Sequence, residues 1–343
     1  MCYQRFTLLL HDMKTITNNI LKILLSMVLG GAILYWMYRG FDFQQVKEVM
    51  LHQMDWTWML LSFPFGIMAQ VFRGWRWRQT LEPLGERPRV STSIHSIFLS
   101  YALSLIVPRL GEFARCGVLK RYDNVSFPKA LGTVVTERAI DSVLVLLIAG
   151  ATFLVQIPVF MTFFDETGTS LDGIINRFTR TGWMVTIICL IAMGILFWIL
   201  LRKLTIYNKV KDTLSGIWQG IASLRKVRNV PLFLFFTLAI WGSYFLHYYL
   251  TFFCFEATSQ LGMSCALVTF IVGSIAVIVP TPNGAGPWHF AVKTMLILYG
   301  IQEYDALYFV LIVHSVQTLL VILLGVYAWI MLFFRQSTIL KTE

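Results

Sequence analysis

Six stretches of this chain read as nearly uninterrupted apolar helices, near Asn19–Tyr38, Trp56–Arg73, Ala130–Val159, Thr181–Leu201, Pro231–Phe255 and Tyr308–Phe334. Each comes close to, or exceeds, the run of about 20 helical residues that crosses a hydrocarbon layer roughly 30 Å thick. In a chain of 343 residues that leaves no segment long and mixed enough to close a soluble core. Charged residues make up 13%, against about 25% in ordinary soluble domains, and the mean hydropathy is +0.68. The expected class is an all-α polytopic membrane protein.

The charges then orient the runs. The net charge of +10 does not point to nucleic acid, because the basic residues sit in short segments flanking apolar runs rather than along one face. Arg73, Arg76, Arg78, Arg87 and Arg89 follow the second run, and Arg202, Lys203, Lys209, Lys211, Arg225, Lys226 and Arg228 follow the fourth, so both segments are expected in the cytoplasm. The loops Gly40–Asp55, Phe160–Arg180 and Ala257–Gly262 carry few cations and belong outside. The first run ends at Arg39 with no cleavage pattern and reads as a retained anchor. The expected organisation is a cytoplasmic segment 1–18, a single transmembrane domain 19–334 and a cytoplasmic tail 335–343. Trp75-Arg76-Trp77-Arg78 reads as an interfacial anchor, and Lys209 to Arg228 as a helix lying on the cytoplasmic leaflet. The cysteines form no CxxC pair, so neither a disulfide framework nor a metal centre is expected.

Two further apolar segments break midway. Residues 93–122 are interrupted at Pro108-Arg109-Leu110-Gly111-Glu112, and residues 264–300 at Pro280-Thr281-Pro282-Asn283-Gly284-Ala285-Gly286-Pro287. Each segment is too short on at least one side of its break to cross twice, and backbone freed by proline and glycine at membrane depth must face protein or water, which predicts re-entrant helical hairpins. Ile106-Val107-Pro108 superposes on Ile278-Val279-Pro280. On the charge-derived topology the hairpins enter from opposite sides, so units 56–159 and 231–334 form an inverted repeat, an arrangement that places binding sites at the breaks.

The candidate binding residues cluster accordingly. Arg109, Glu112 and Arg115 follow the first break at i, i+3, i+6, where a helix start and two guanidinium groups suit phosphate or carboxylate. Glu137, Arg138 and Asp141 lie within the third run, where intramembrane charge is expensive and faces a partner or cavity. Arg138 and Asp141, three apart, are either a self-compensating pair or substrate contacts, and a third reading makes Glu112, Glu137 or Asp141 a proton carrier. At the second break Gly284 and Gly286 allow close backbone approach, Pro287 suits a first helical position, and His289 and Lys293 add charge or proton transfer. His247 and His314 read as interhelical hydrogen-bonding residues. The hydrolase, ATPase and dehydrogenase fingerprints are absent, so no catalytic residue, metal or cofactor is assigned.

Pro108-Arg109-Leu110-Gly111-Glu112 through Arg115, Glu137-Arg138, and Pro280-Thr281-Pro282-Asn283-Gly284-Ala285-Gly286 together resemble the transmembrane flippase domain of lysylphosphatidylglycerol synthases and its stand-alone relatives. The family pattern reads PxPGG with an acid a few residues later. Here Asn283 replaces the first glycine and His289 stands about where the acid falls, so a mechanism needing that carboxylate is not carried over. The aminoacyl-transferase domain of the two-part enzymes is missing from the chain, so lipid synthesis is not carried over either. The resemblance implies a protein of the prokaryotic plasma (inner) membrane that flips an anionic phospholipid or a lipid-linked saccharide or phosphate. Arg109, Arg115 and Arg138 would hold the headgroup phosphate, with Glu112, Glu137 and Asp141 orienting them or binding a cationic headgroup. A glycosyltransferase or lipid-synthesis enzyme is the implied partner. The alternatives are an intramembrane lipid-modifying enzyme, with Glu137 or His289 as base, and a non-transporting partner of a glycosyltransferase.

Overall fold

The computed structural model describes residues 24, 27–39, 43–155 and 227–339. The run Thr181–Leu201, the loop before it, nearly all of the 209–228 segment, residues 1–18 and the last four residues lie outside the described residues. Within them the chain is helical and has no strand. The helices are α1 (Met27–Met37), α2 (Phe43–Glu48), α3 (Trp56–Leu81), α4 (Val90–Ser104), α5 (Leu110–Asp123) and α6 (Phe127–Val155), then α7 (Val230–Tyr249), α8 (Glu256–Ser259), α9 (Met263–Ala276), α10 (Pro287–Leu298) and α11 (Glu303–Ile339).

Two of these are long and apolar enough to cross a membrane: α7 with its tightened extension, Val230–Cys254, and α11 over Glu303–Arg335. Helices α3 and α6 have 26 and 29 residues and carry charges in one part of each, from Arg73 onward in α3 and up to Asp141 in α6. Local sequence sets where these helices start. The Asp55 carboxylate accepts the Thr57 N–H at 2.8 Å before α3, and Asn229 accepts the Leu232 N–H at 3.1 Å before α7, with proline in its first turn. Helix α3 does not stop at Arg73, where its apolar run ends. It continues to Leu81 because Arg73, Arg76 and Trp77 turn inward and find buried partners on α6.

Between the long helices lie two pairs of short ones. At 1.5 Å per residue α4 and α5 are about 22 and 21 Å long, and α9 and α10 about 21 and 18 Å, so none alone covers a core of roughly 30 Å. Helix α4 packs on α5 and α9 packs on α10. Both pairs are therefore helical hairpins, at the two places where the sequence breaks. The first closes tightly: a Cβ on Gly111 would sit 1.9 Å from the Ser100 carbonyl oxygen. Ile106 and Ile278, the superposed isoleucines, are both exposed at the tips, at 63% and 70%.

Each hairpin has its own core. Under the first, Trp77, Leu81, Ile97, Cys116, Leu119 and Val134 join α3, α4, α5 and α6. Under the second, Tyr248, Phe252, Val292, Leu296 and Phe309 join α7, α10 and α11. Helix α1 is seated on the second break, where Gly30 lies against Thr281, Ala285 and Gly286. Contacts between remote segments also order the helix ends. The Asp55 N–H donates to the Cys254 carbonyl at 2.9 Å, joining the start of α3 to the end of the α7 extension. Arg335 Nη1 donates to Thr92 Oγ1 at 2.7 Å, joining the far end of α11 to the start of α4.

Candidate functional site

The third run carries Glu137 and Asp141 four residues apart, hence on one face of α6, and α3 offers Arg73 and Arg76 three apart on the facing side. The four meet. Arg73 Nη1 donates to Glu137 Oε1 at 2.6 Å and to Asp141 Oδ2 at 2.7 Å. Arg76 Nη2 donates to Asp141 Oδ1 at 2.8 Å and lies 3.2 Å from Glu137 Oε1, while its Nη1 reaches Thr237 Oγ1 on α7 at 3.3 Å. From α5, Arg115 Nη1 donates to Glu137 Oε2 at 3.1 Å, and its guanidinium stacks over the Trp77 ring, 4.6 Å from the centroid. Trp77 is itself fixed by donating Nε1–H to Thr133 Oγ1 at 2.9 Å.

All five charged residues are at most 5% exposed. Three guanidinium groups against two carboxylates leave an excess of one positive charge in the interior. The Nε and Nη2 of Arg115 are buried and make no hydrogen bond among the described residues. A buried donor left unmade costs about 1–3 kcal/mol, and more when charged, so this arrangement suits a monoanion better than it suits an empty core.

The other charges of the first hairpin sit nearer the surface. Arg138 Nε lies 2.8 Å from Glu112 Oε1, with both side chains partly exposed at 43% and 27%. Arg138 therefore pairs across helices with Glu112, and the self-compensating pair with Asp141 does not form, since Asp141 is taken by Arg73 and Arg76. Arg109 holds φ +66° immediately before α5 and is exposed, with no ion pair among the described residues. Arg109, Glu112 and Arg115 thus point three ways: to solvent at the break, to Arg138, and into the buried cluster. Pro108 sits in the turn before α5, and Gly111 in the first turn of that helix.

At the second break the chain runs through Pro280 and an extended Thr281 into a tight turn over Pro282–Gly284, and α10 starts at Pro287. Asn283, Gly284 and Gly286 have φ of +53°, +70° and +91°. A side chain on Gly286 would meet the Gly30 carbonyl oxygen at 2.9 Å, and one on Gly284 would meet Val277 at 2.7 Å. Asn283 Nδ2 donates to Thr318 Oγ1 at 2.7 Å, and its carbonyl lies 3.2 Å from His314 Nε2, so the residue in place of the family glycine ties the break to α11. Asparagine tolerates the left-handed conformation better than most residues. His289 is buried at 3%, with its ring 4.4 Å from that of His314. The Gly286 N–H donates to His289 Nδ1 at 3.4 Å. Lys293 pairs with Glu303 at 2.7 Å, away from the turn. His247 Nδ1 lies 2.8 Å from the Ser62 carbonyl, an interhelical bond as its sequence context suggests.

The residues missing from the sequence reading are Arg73, Arg76 and Trp77. Reading Arg76 and Trp77 as part of an interfacial anchor is corrected by their burial at 1% and 0%, and Arg73 is buried with them at 2%. The signal that finds them is complementarity: two arginines at i, i+3 on one apolar helix and two acids at i, i+4 on another have no cheaper place than each other.

No curated protein and no solved structure matches the chain. The family model of the lysylphosphatidylglycerol synthase TM region matches residues 19–325. That stretch includes both hairpins and every member of the buried cluster, and the chain belongs to this family of membrane proteins.

Proposed function

We propose that this protein translocates an anionic phospholipid, or a lipid-linked saccharide or phosphate, between the leaflets of the prokaryotic plasma membrane. The observation that carries the reading is the buried cluster, with its one surplus positive charge and the unpartnered Nε and Nη2 of Arg115. A phosphodiester brings one negative charge and acceptor oxygens, which is what that site lacks. Arg109 and the Arg138–Glu112 pair lie on the same hairpin, nearer solvent, and form a cationic approach to it.

The topology that goes with this reading has six crossing helices, both termini in the cytoplasm, and two re-entrant hairpins opening to opposite sides. Support comes from the contacts at the helix ends. The start of α4 lies beside the far end of α11, whereas the loop that follows α10 leads into the start of α11. The open ends of the two hairpins therefore fall at opposite ends of one long helix. Broken helices related in this way are the means by which transporters expose one site to two sides in turn. A glycosyltransferase or lipid-synthesis enzyme is the class of partner that would supply such cargo.

The enzymatic alternative asks Glu137 or His289 to act as general base. Glu137 has both oxygens engaged by guanidinium groups, and His289 Nδ1 already accepts the Gly286 N–H. That geometry favours transport. The test is reconstitution of the purified chain in sealed vesicles with a fluorescent anionic phospholipid on one side. Transport predicts that the label equilibrates across the bilayer with its mass unchanged, faster than in protein-free vesicles. A chemically altered lipid, or no movement of any anionic lipid tried, would defeat the proposal.

A further inference from the structure

Beyond the buried cluster, the seam between α3 and α7 opens into a separate cleft of about 450 Å³. Its mouth is formed by Arg78, Gln79 and Glu82 at the end of α3 and by Arg228 just before α7, and its inner wall by Trp75 and Phe236. The cleft and the cluster lie on opposite sides of the same helix contact: Arg73 and Arg76 turn inward from α3, while Trp75, Arg78 and Gln79 line the cleft.

Three observations describe what the cleft takes. Two guanidinium groups and one carboxylate give it a net charge of +1, and the Arg78–Glu82 pair is loose, at 3.9 Å with both side chains more than a third exposed. Arg78 Nε and Gln79 Oε1 are buried atoms without a hydrogen-bond partner among the described residues, on two side chains that line the cleft, so a turn of either side chain brings an unused donor or acceptor to a ligand there. The lining also changes character with depth. Charged groups stand at the helix ends, and further along the helices the cleft is lined by Leu232 and by the Trp75 and Phe236 rings, 5.6 Å between centroids. A molecule with a charged head and an apolar body meets matching surface along its length there, and an aromatic belt at that level is where lipid headgroups begin.

We infer that this cleft is a second lipid site, holding an anionic phospholipid by its phosphate on Arg78 and Arg228, with a headgroup hydroxyl or amine donating to Gln79 Oε1. Its occupant is drawn from the leaflet at the α3 C-terminal end. The assignment stands on the cleft itself and needs no transport to occur.

The test is native mass spectrometry of the detergent-purified protein titrated with phosphatidylglycerol, phosphatidic acid, phosphatidylcholine or glycerol 3-phosphate. The double variant Arg78→Gln, Arg228→Gln should retain one phosphatidylglycerol fewer than the parent protein. Its affinity should fall about tenfold or more, with phosphatidylcholine retention unchanged. Gln79→Leu, which alters no charge, should remove the preference for phosphatidylglycerol over phosphatidic acid. It keeps the test readable if the double variant unfolds. Equal phosphatidylglycerol retention by the parent and a folded double variant would overturn the site. So would a headgroup preference unmoved by Gln79→Leu. Displacement of the lipid by glycerol 3-phosphate at equal concentration would assign the cleft to soluble phosphate esters and overturn the lipid reading.

Discussion

Replacing Glu137 by glutamine keeps the shape of the side chain and one carbonyl acceptor but removes the charge that three arginines share. Glu137 lies 2.6 Å from Arg73, 3.1 Å from Arg115 and 3.2 Å from Arg76. With it neutral, Asp141 alone faces three guanidinium groups and the interior surplus rises from +1 to +2. Removing one partner from a buried ion network costs about 3–5 kcal/mol, chiefly because the charge left behind is uncompensated. Glu137→Gln should therefore lower the thermal unfolding midpoint of the detergent-purified protein by several degrees. The cause being charge, a second change that removes one cation should give much of the loss back. In Glu137→Gln with Arg115→Gln the surplus returns to +1, so the double variant should be less destabilised than the sum of the two singles, with a coupling of about 1–3 kcal/mol. Strictly additive losses, or a Glu137→Gln variant as stable as the parent, would show that the five charges do not compensate one another.

The remaining expectations are local. Gly111→Ala should cost about 2 kcal/mol or more, because the new Cβ meets the Ser100 carbonyl at 1.9 Å; reduced yield and a lowered unfolding midpoint check it. Gly286→Val faces both a φ of +91° and the Gly30 carbonyl at 2.9 Å, so it should loosen α1 from the second break and abolish translocation in vesicles. Arg109→Ala should change the unfolding free energy by no more than about 0.5 kcal/mol, since the side chain is exposed and unpaired among the described residues, while slowing translocation of anionic but not zwitterionic lipid.

How far the sequence is legible differs between backbone and site. The hairpins follow from Pro108 and Pro280 and from halves too short to cross, because chain geometry fixes both. Gly111, Gly284 and Gly286 follow from the same argument, and their contacts give the steric reason. The partners of the charges do not follow in that way. Arg138 and Asp141, three apart, look paired from spacing alone, yet a guanidinium takes whichever carboxylate the neighbouring helices present. Arg73 and Arg76 beside Trp75 and Trp77 have the composition of a membrane-surface anchor. Only the placement of α3 against α6 shows that the middle two members of that cluster, Arg76 and Trp77, face inward and the outer two, Trp75 and Arg78, face the cleft. The seat of α1 on the second break has no signal beyond Gly30, one of two adjacent glycines in an apolar run.

The transport we propose depends on hairpins that open to opposite faces of the membrane, and sided labelling of single cysteines tests that arrangement. With the five native cysteines replaced, Arg87→Cys marks the open end of the first hairpin and Gln302→Cys that of the second; both positions are exposed. An impermeant thiol reagent added to intact cells should label Gln302→Cys and leave Arg87→Cys unmodified until the membrane is permeabilised. Labelling of both from the same side would contradict the inverted arrangement, and with it the alternating exposure of the Arg115 cluster.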